Sequence, residues 1–260
     1  MSYLVKALIV GLLQGLIEWL PISSQGNLVL FLIAILGLEP TYALGLTVYL
    51  HIGTGLAAVI YFRNDISRIL QSDSEPDLRM LRFLVITTVL TGVVGLPLFL
   101  FAQLSIFYGE ALLGLTGVAL ISTGILERVA RRRGSHTAEI LNTKEGLLLG
   151  LIQGFSALPG VSRSGVTTSS LLLMGFSAED AFRISFLMSI PAVFAAAIGL
   201  TIIQGAPQLS LSFLIALVAS FLSALLSIGL LLRAARRLRF WGLCLTLGVL
   251  ALLPLLIHLL

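Results

Sequence analysis

The chain has 260 residues, 58% of them hydrophobic and 11% charged, with a net charge of +4 from 16 basic and 12 acidic side chains. Soluble domains carry about 25% charged residues, so this composition excludes a water-soluble globular fold and points to an integral membrane protein. The single cysteine, Cys244, rules out an intrachain disulfide and a cysteine-built zinc site. The basic excess lies between apolar runs, which reads as membrane orientation and not as a nucleic-acid footprint.

In chain order the apolar runs fall at about residues 3–20, 28–38, 42–62, 83–102, 111–126, 146–158, 166–176, 184–203, 212–232 and 240–260. The first carries Lys6 and no small-x-small cleavage site, so it is expected to belong to the mature fold. Six runs approach the ~20 residues that a crossing needs. The pairs 3–20 with 28–38 and 146–158 with 166–176 each contain an arm of about 11 to 13 residues, ~17 to 20 Å of helix, and read as re-entrant hairpins. Their turns, LPISSQGN (20–27) and LPGVSRSGVT (158–167), are polar and contain Gly and Pro. Such backbone is tolerated at membrane depth only where it lines a protein interior or a watered cavity, so both turns are expected at one shared site.

The hairpins also repeat in sequence: GLLQG at 11–15 matches GLIQG at 150–154, and YLHIGTGLAAVI at 49–60 matches FLMSIPAVFAAAI at 186–198. The common offset of about 139 and 137 predicts an all-α polytopic membrane protein built by duplication. Residues 1–126 (hairpin 3–38, then three spans) form one repeat and 146–260 (hairpin 146–176, then three spans) the other, with 127–145 a basic loop between them. Three loops carry Arg63, Arg68, Arg79 and Arg82; Arg128, Arg131, Arg132, Arg133 and Lys144; and Arg233, Arg236, Arg237 and Arg239. With Arg183 they hold 14 of the 16 basic residues. The positive-inside rule makes these loops cytoplasmic and both termini external. Three crossings between the hairpins then give the repeats inverted topology, as in many secondary transporters.

An ionisable group in hydrocarbon is costly, so each one at depth demands a reason. Glu18 is the one acid inside an apolar segment, and Arg163 the one basic residue in a hairpin turn. They occupy corresponding parts of the two repeats and are expected to meet, as a structural ion pair or as part of a site. Around Arg163 stand Ser162, Ser164, Thr167 and Thr168, with Gly160 and Gly165 allowing close backbone approach, a set suited to cradling phosphate. The first turn offers Ser23, Ser24, Gln25 and Asn27; a serine beside a carboxylate and facing an arginine has the parts of a phosphoryl-transfer site. Gln14 lies one helical turn before Glu18 and faces the same way. His51, near Thr54, reads either as a hydrogen-bonded interior histidine or as a proton acceptor or metal ligand. Trp19, Tyr108 and Trp241 read as interface anchors or packing, His136 as a loop residue and His258 as a residue near the membrane surface.

QGLIEWLPISSQGN together with LPGVSRSGVTTS resembles the undecaprenyl-diphosphate phosphatase family, also called bacitracin-resistance proteins, across essentially the whole chain. The resemblance implies a membrane enzyme that removes the terminal phosphate of a polyprenyl diphosphate and so recycles the lipid carrier for cell-wall glycan synthesis. It implies inverted repeats whose hairpins meet at a site open toward the outer face of the cell membrane. It carries the family's (E/Q)xxxE motif onto Gln14 and Glu18, a serine nucleophile onto Ser24 and a phosphate-binding arginine onto Arg163. Gln14 stands where relatives often have Glu, and Asn27 where many have His. Glu18 is therefore expected to be the base, with His51 a stand-in for the missing histidine. Mg²⁺ or Ca²⁺ is the cofactor the resemblance allows, with Glu18 its one offered ligand. The expected partners are the polyprenyl diphosphate and the bilayer, and not nucleic acid. A reading of a different class is a lipid transporter that keeps the phosphate cradle without hydrolysis.

Overall fold

The computed structural model describes residues 2–20, 22–71, 74–105, 109–130, 136–138, 141–235 and 241–258. Among them the fold is all-helical: α1 (Tyr3–Ile17), α2 (Ser24–Ala34), α3 (Pro40–Tyr61), α4 (Arg63–Gln71), α5 (Glu75–Ser105), α6 (Gly109–Val129), α7 (Thr143–Gly154), α8 (Arg163–Leu173), α9 (Ala178–Gln204), α10 (Leu211–Ala235) and α11 (Trp241–His258). Four segments, Pro40–Tyr61, Glu75–Ala102, Ala178–Gln204 and Leu211–Leu230, are long and apolar enough to cross a bilayer. The protein is a polytopic membrane protein.

Local chemistry sets the helix ends. α3 opens on Pro40, with Glu39 accepting from the amides of Thr41 and Tyr42, and α7 on a capping box of Asn142 and Glu145. Ser177 caps α9, and Gly205, at φ +86°, ends it. The arms α2 and α8 have 11 residues each, about 16 Å at ~1.5 Å per residue, half the depth of a bilayer.

α1 packs on α10 and α7 on α5; α2 lies on α3 and α8 on α9; α3 touches α9, and α6 touches α11. Trp19 sits inside this packing, 1% exposed, donating from Nε1 to the Ala224 carbonyl at 3.2 Å and meeting Phe186 edge-on. It is a core residue and not an interface anchor. Trp241 lies beneath the Arg128 guanidinium, 4.9 Å from ring centroid to Cζ.

The segment 63–82, expected as a loop, is instead helical over α4 and the start of α5. α4 escapes a hydropathy reading because it is short and charged, yet it buries Ile69 against Phe62 and Phe182. Its Asp65 pairs with Arg183 of α9, and Arg68 reaches Asp65 at 3.5 Å and Asp77 at 3.1 Å, so ion pairs tie α4, α5 and α9 at one end of the bundle. His136 is likewise tied down, its Nδ1–H donating to the Met174 carbonyl at 2.9 Å. Arg131, Arg132, Arg133, Arg236, Arg237, Arg239 and Tyr108 lie outside the described residues.

Candidate functional site

The two hairpin tips touch. A Cβ placed on Gly26 would fall 2.7 Å from the Gly160 nitrogen and 2.8 Å from its Cα, so only glycine permits this approach. Gly160 adopts φ +97°, a conformation that disfavours any side chain, with the Thr116 backbone against it. Ser23 is the one described non-glycine residue at positive φ, +59°. The Asn27 amide spans this strained turn, donating to the carbonyls of Ile22 at 2.6 Å and Ser23 at 3.0 Å, while the Ser23 hydroxyl accepts from Gly26 N–H. α2 and α8 therefore begin side by side.

Glu18, the residue after α1, is 4% exposed and is held from four directions. Arg163 Nη2 lies 2.7 Å from Oε1; Ser24 Oγ at 2.5 Å and Gln14 Nε2 at 3.0 Å donate to Oε2, and His51 Nε2 stands 3.1 Å from that same oxygen. His51 Nδ1 is 2.5 Å from the Thr47 carbonyl, which can only accept, so Nδ1 carries a proton. A second proton must lie between Nε2 and Oε2, since both are otherwise acceptors; Glu18 and His51 share it. Arg163 is steadied by the Ser185 carbonyl, 3.4 Å from Nη1. Ser185 Oγ also meets Thr167 Oγ1 at 2.6 Å.

Of these groups Glu18, Ser24, His51 and Arg163 line a cavity of about 370 Å³. Ser23, Ser24 and Gln25 at the start of α2 line it together with Ser162, Arg163 and Ser164 at the start of α8. Two helix N-termini, with their partial positive charge, thus converge on the same space as the guanidinium. The rest of the wall is mostly apolar or small: Leu96 and Phe99 on α5, Ala196, Leu200 and Ile203 on α9. An anionic headgroup with an apolar tail fits such a chamber.

Not every residue singled out in the sequence faces this space. Gln14, Asn27, Gly160, Gly165 and Thr167 lie behind its lining. Gln14 holds Glu18, Asn27 the Ser23 turn and Thr167 the Ser185 side chain, and Gly165 fits where a Cβ would fall 2.8 Å from Thr123 Cγ2. Four polar lining residues escaped sequence reasoning: Thr88, Thr91, Gln153 and Ser156. Gln153 was within reach, since GLIQG at 150–154 matches the GLLQG that contains Gln14; Thr88 and Thr91, each bonded to a carbonyl of its own helix, give no signal. As for a metal, Glu18 is the one carboxylate among the described lining residues, and both its oxygens are engaged. Among the described residues no group of three or more His, Cys, Asp or Glu side chains is placed to hold a metal ion.

Comparison with known proteins places the chain in a family. Residues 7–252 match the family model described as Bacitracin resistance protein BacA. The chain is 41% identical to the undecaprenyl-diphosphatase of Methanococcoides burtonii, covering 97% of this chain and 98% of the relative. It is 39% identical to the protein so named in Methanothrix thermoacetophila, with 95% of each covered, and 37% to that of Haloarcula marismortui, with 95% of this chain and 96% of the relative covered. With a match that spans almost every described helix, the chain belongs to the bacitracin resistance protein BacA family.

Proposed function

We propose that this protein hydrolyses undecaprenyl diphosphate to the monophosphate and inorganic phosphate within the membrane, returning the lipid carrier to glycan synthesis. The observation that carries this reading is the Ser24–Glu18–Arg163 cluster in a cavity whose wall is otherwise mostly apolar or small. Ser24 Oγ attacks the terminal phosphorus while its proton passes to Glu18 Oε2, already 2.5 Å away. The bond from that phosphorus to the bridging oxygen breaks, and the polyprenyl monophosphate leaves with the oxygen. Arg163 and the N–H groups at the two helix starts receive the developing charge. Water then splits the Ser24–phosphorus bond, Glu18 returns the proton to Ser24, and inorganic phosphate departs. His51, through the proton it shares with Glu18, sets how readily the carboxylate exchanges protons.

The proposal includes the architecture of two inverted repeats, each a re-entrant hairpin with three crossings. In its support, α1 rests on α10 as α7 rests on α5, and α2 on α3 as α8 on α9, the pairings that an internal two-fold relates. It also sets the protein in the cell membrane with both termini outside and the cavity open outward. The Asp65–Arg183 end of the bundle carries the charge of a cytoplasmic face, and the cavity runs from Arg163 toward Phe99 and Ile203 at the other end. No observation favours transport without hydrolysis; the short Ser24–Glu18 contact is what bond cleavage needs and carriage does not.

Phosphate release from undecaprenyl diphosphate by the detergent-purified chain tests the reading. Release is expected from the wild type and at least 10³-fold less from Ser24→Ala and Arg163→Ala. Well-folded wild-type protein that binds the lipid and releases nothing overturns it.

A further inference from the structure

We infer that the residues of this site hold no divalent cation, and that Arg163 and His51 supply the positive charge a cation would bring. The inference rests on the phosphatase reading and concerns how the same site manages the charge of the diphosphate.

Magnesium demands six near-octahedral oxygens, commonly from one or two carboxylates with water and phosphate, and calcium takes six to eight. Glu18 is the one carboxylate among the described residues that line the cavity. Its Oε1 is taken by Arg163 at 2.7 Å, and its Oε2 by Ser24 at 2.5 Å, Gln14 at 3.0 Å and His51 at 3.1 Å. A cation reaching Oε2 must displace one of three partners, and one reaching Oε1 must sit beside the Arg163 guanidinium already there, so it meets a positive charge at close range. The neutral oxygens nearby, the serine hydroxyls of the two helix starts and the unpartnered Oε1 atoms of Gln14 and Gln153, bring no negative charge to hold a divalent cation, and no group of three or more His, Cys, Asp or Glu side chains stands together among the described residues. Thr47 occupies His51 Nδ1, and the Gln14 amide presents its nitrogen to the carboxylate from behind the lining.

The amide of Gln14 decides this. Its Nε2 stands 3.0 Å from Glu18 Oε2 as a donor. An anionic oxygen in that place would create two facing carboxylate oxygens, the arrangement that a bridging cation relieves. Gln14→Glu is therefore expected to install the cation site that the wild type lacks.

Two measurements on the full-length purified protein decide the matter. In the first, phosphate release from undecaprenyl diphosphate is followed in excess EDTA and again with Mg²⁺ or Ca²⁺; the rates are expected to agree within about two-fold. A loss of ten-fold or more on chelation that either ion restores overturns the inference. In the second, Mn²⁺ alone is titrated into the substrate-free protein and followed by its electron paramagnetic resonance. The wild type is expected to bind none, and Gln14→Glu to bind one ion with turnover that falls at least ten-fold in EDTA. Stoichiometric Mn²⁺ binding by the wild type that vanishes in Glu18→Gln overturns the inference, and a Gln14→Glu protein that binds no Mn²⁺ overturns the role given to the amide. If phosphate is released under neither condition, the phosphatase reading fails, and the Mn²⁺ titration still decides the inference.

Discussion

The two hairpins are built alike and equipped differently. Each opens on a Gly-Leu-Leu/Ile-Gln-Gly arm with a fully buried glutamine, turns near a proline and restarts as an 11-residue helix capped by serine. In the first, the Gln14 amide donates to Glu18; in the second, the Gln153 amide donates to Thr91 Oγ1 at 2.9 Å. The first turn passes through Ser23 at φ +59° and is clamped by Asn27, whereas the second passes through Gly160 at φ +97° and needs no clamp. One hairpin thus brings an acid and a hydroxyl, the other a guanidinium, and neither alone has the parts of a site. The frame is shared by the two hairpins, and the chemistry is divided between the residues that follow each proline.

Removing either half of the ion pair should show the largest effect. Glu18→Gln or Arg163→Ala is expected to cut phosphate release at least 10³-fold, and Arg163→Ala also to destabilise the fold by about 3 kcal/mol, because a buried carboxylate loses its cation. His51→Gln should fall between, about 10- to 100-fold down; unchanged turnover would reduce His51 to a hydrogen-bonded packing residue. Forcing the tips apart comes next: Gly26→Val should cost about 2 to 3 kcal/mol in thermal or denaturant unfolding and most of the activity, since its Cβ meets the Gly160 backbone. A matched pair of glutamine variants then separates the hairpins. Gln14→Leu is expected to slow turnover about ten-fold, while Gln153→Leu, which loses only its Thr91 partner, should cost about 1 kcal/mol of stability and move turnover less than three-fold. The smallest effect belongs to Glu39, outside the site. Amide donors from Thr41 and Tyr42 hold its carboxyl below the usual range. Its stabilising contribution is present above the unfolded value and lost as pH falls through the lowered one, so Glu39→Gln should match the wild type in melting temperature only in acid.

Much of this frame was legible in the sequence because hydropathy and repetition act over many residues. Every apolar run has its helix, and Glu18 stood out as a charge where hydrocarbon is expected. The link from Asp65 to Arg183 was not legible, since two charges 118 positions apart carry no common pattern until α4 folds against α9. Asn27 lies in the turn where a substrate contact was expected, but its amide donates to two carbonyls of that turn, beside the positive φ of Ser23. Thr88 and Thr91 look like ordinary serviced hydroxyls in an apolar helix, and only the packing of α5 beside α7 and α9 brings them to the cavity.

The size of that cavity bears on hydration. At about 370 Å³ it equals roughly a dozen water volumes of ~30 Å³ each, and its walls are mostly apolar apart from the Arg163 cluster and the side chains of Thr88, Thr91, Gln153 and Ser156. A headgroup that displaces water only from the Arg163 cluster should bind with little change in heat capacity. A lipid whose first isoprenyl units follow it past Leu96 and Leu200 should give a clearly negative one. Calorimetry with inorganic diphosphate beside a short prenyl diphosphate would therefore measure how far the hydrocarbon travels inward, independently of how tightly either ligand is held.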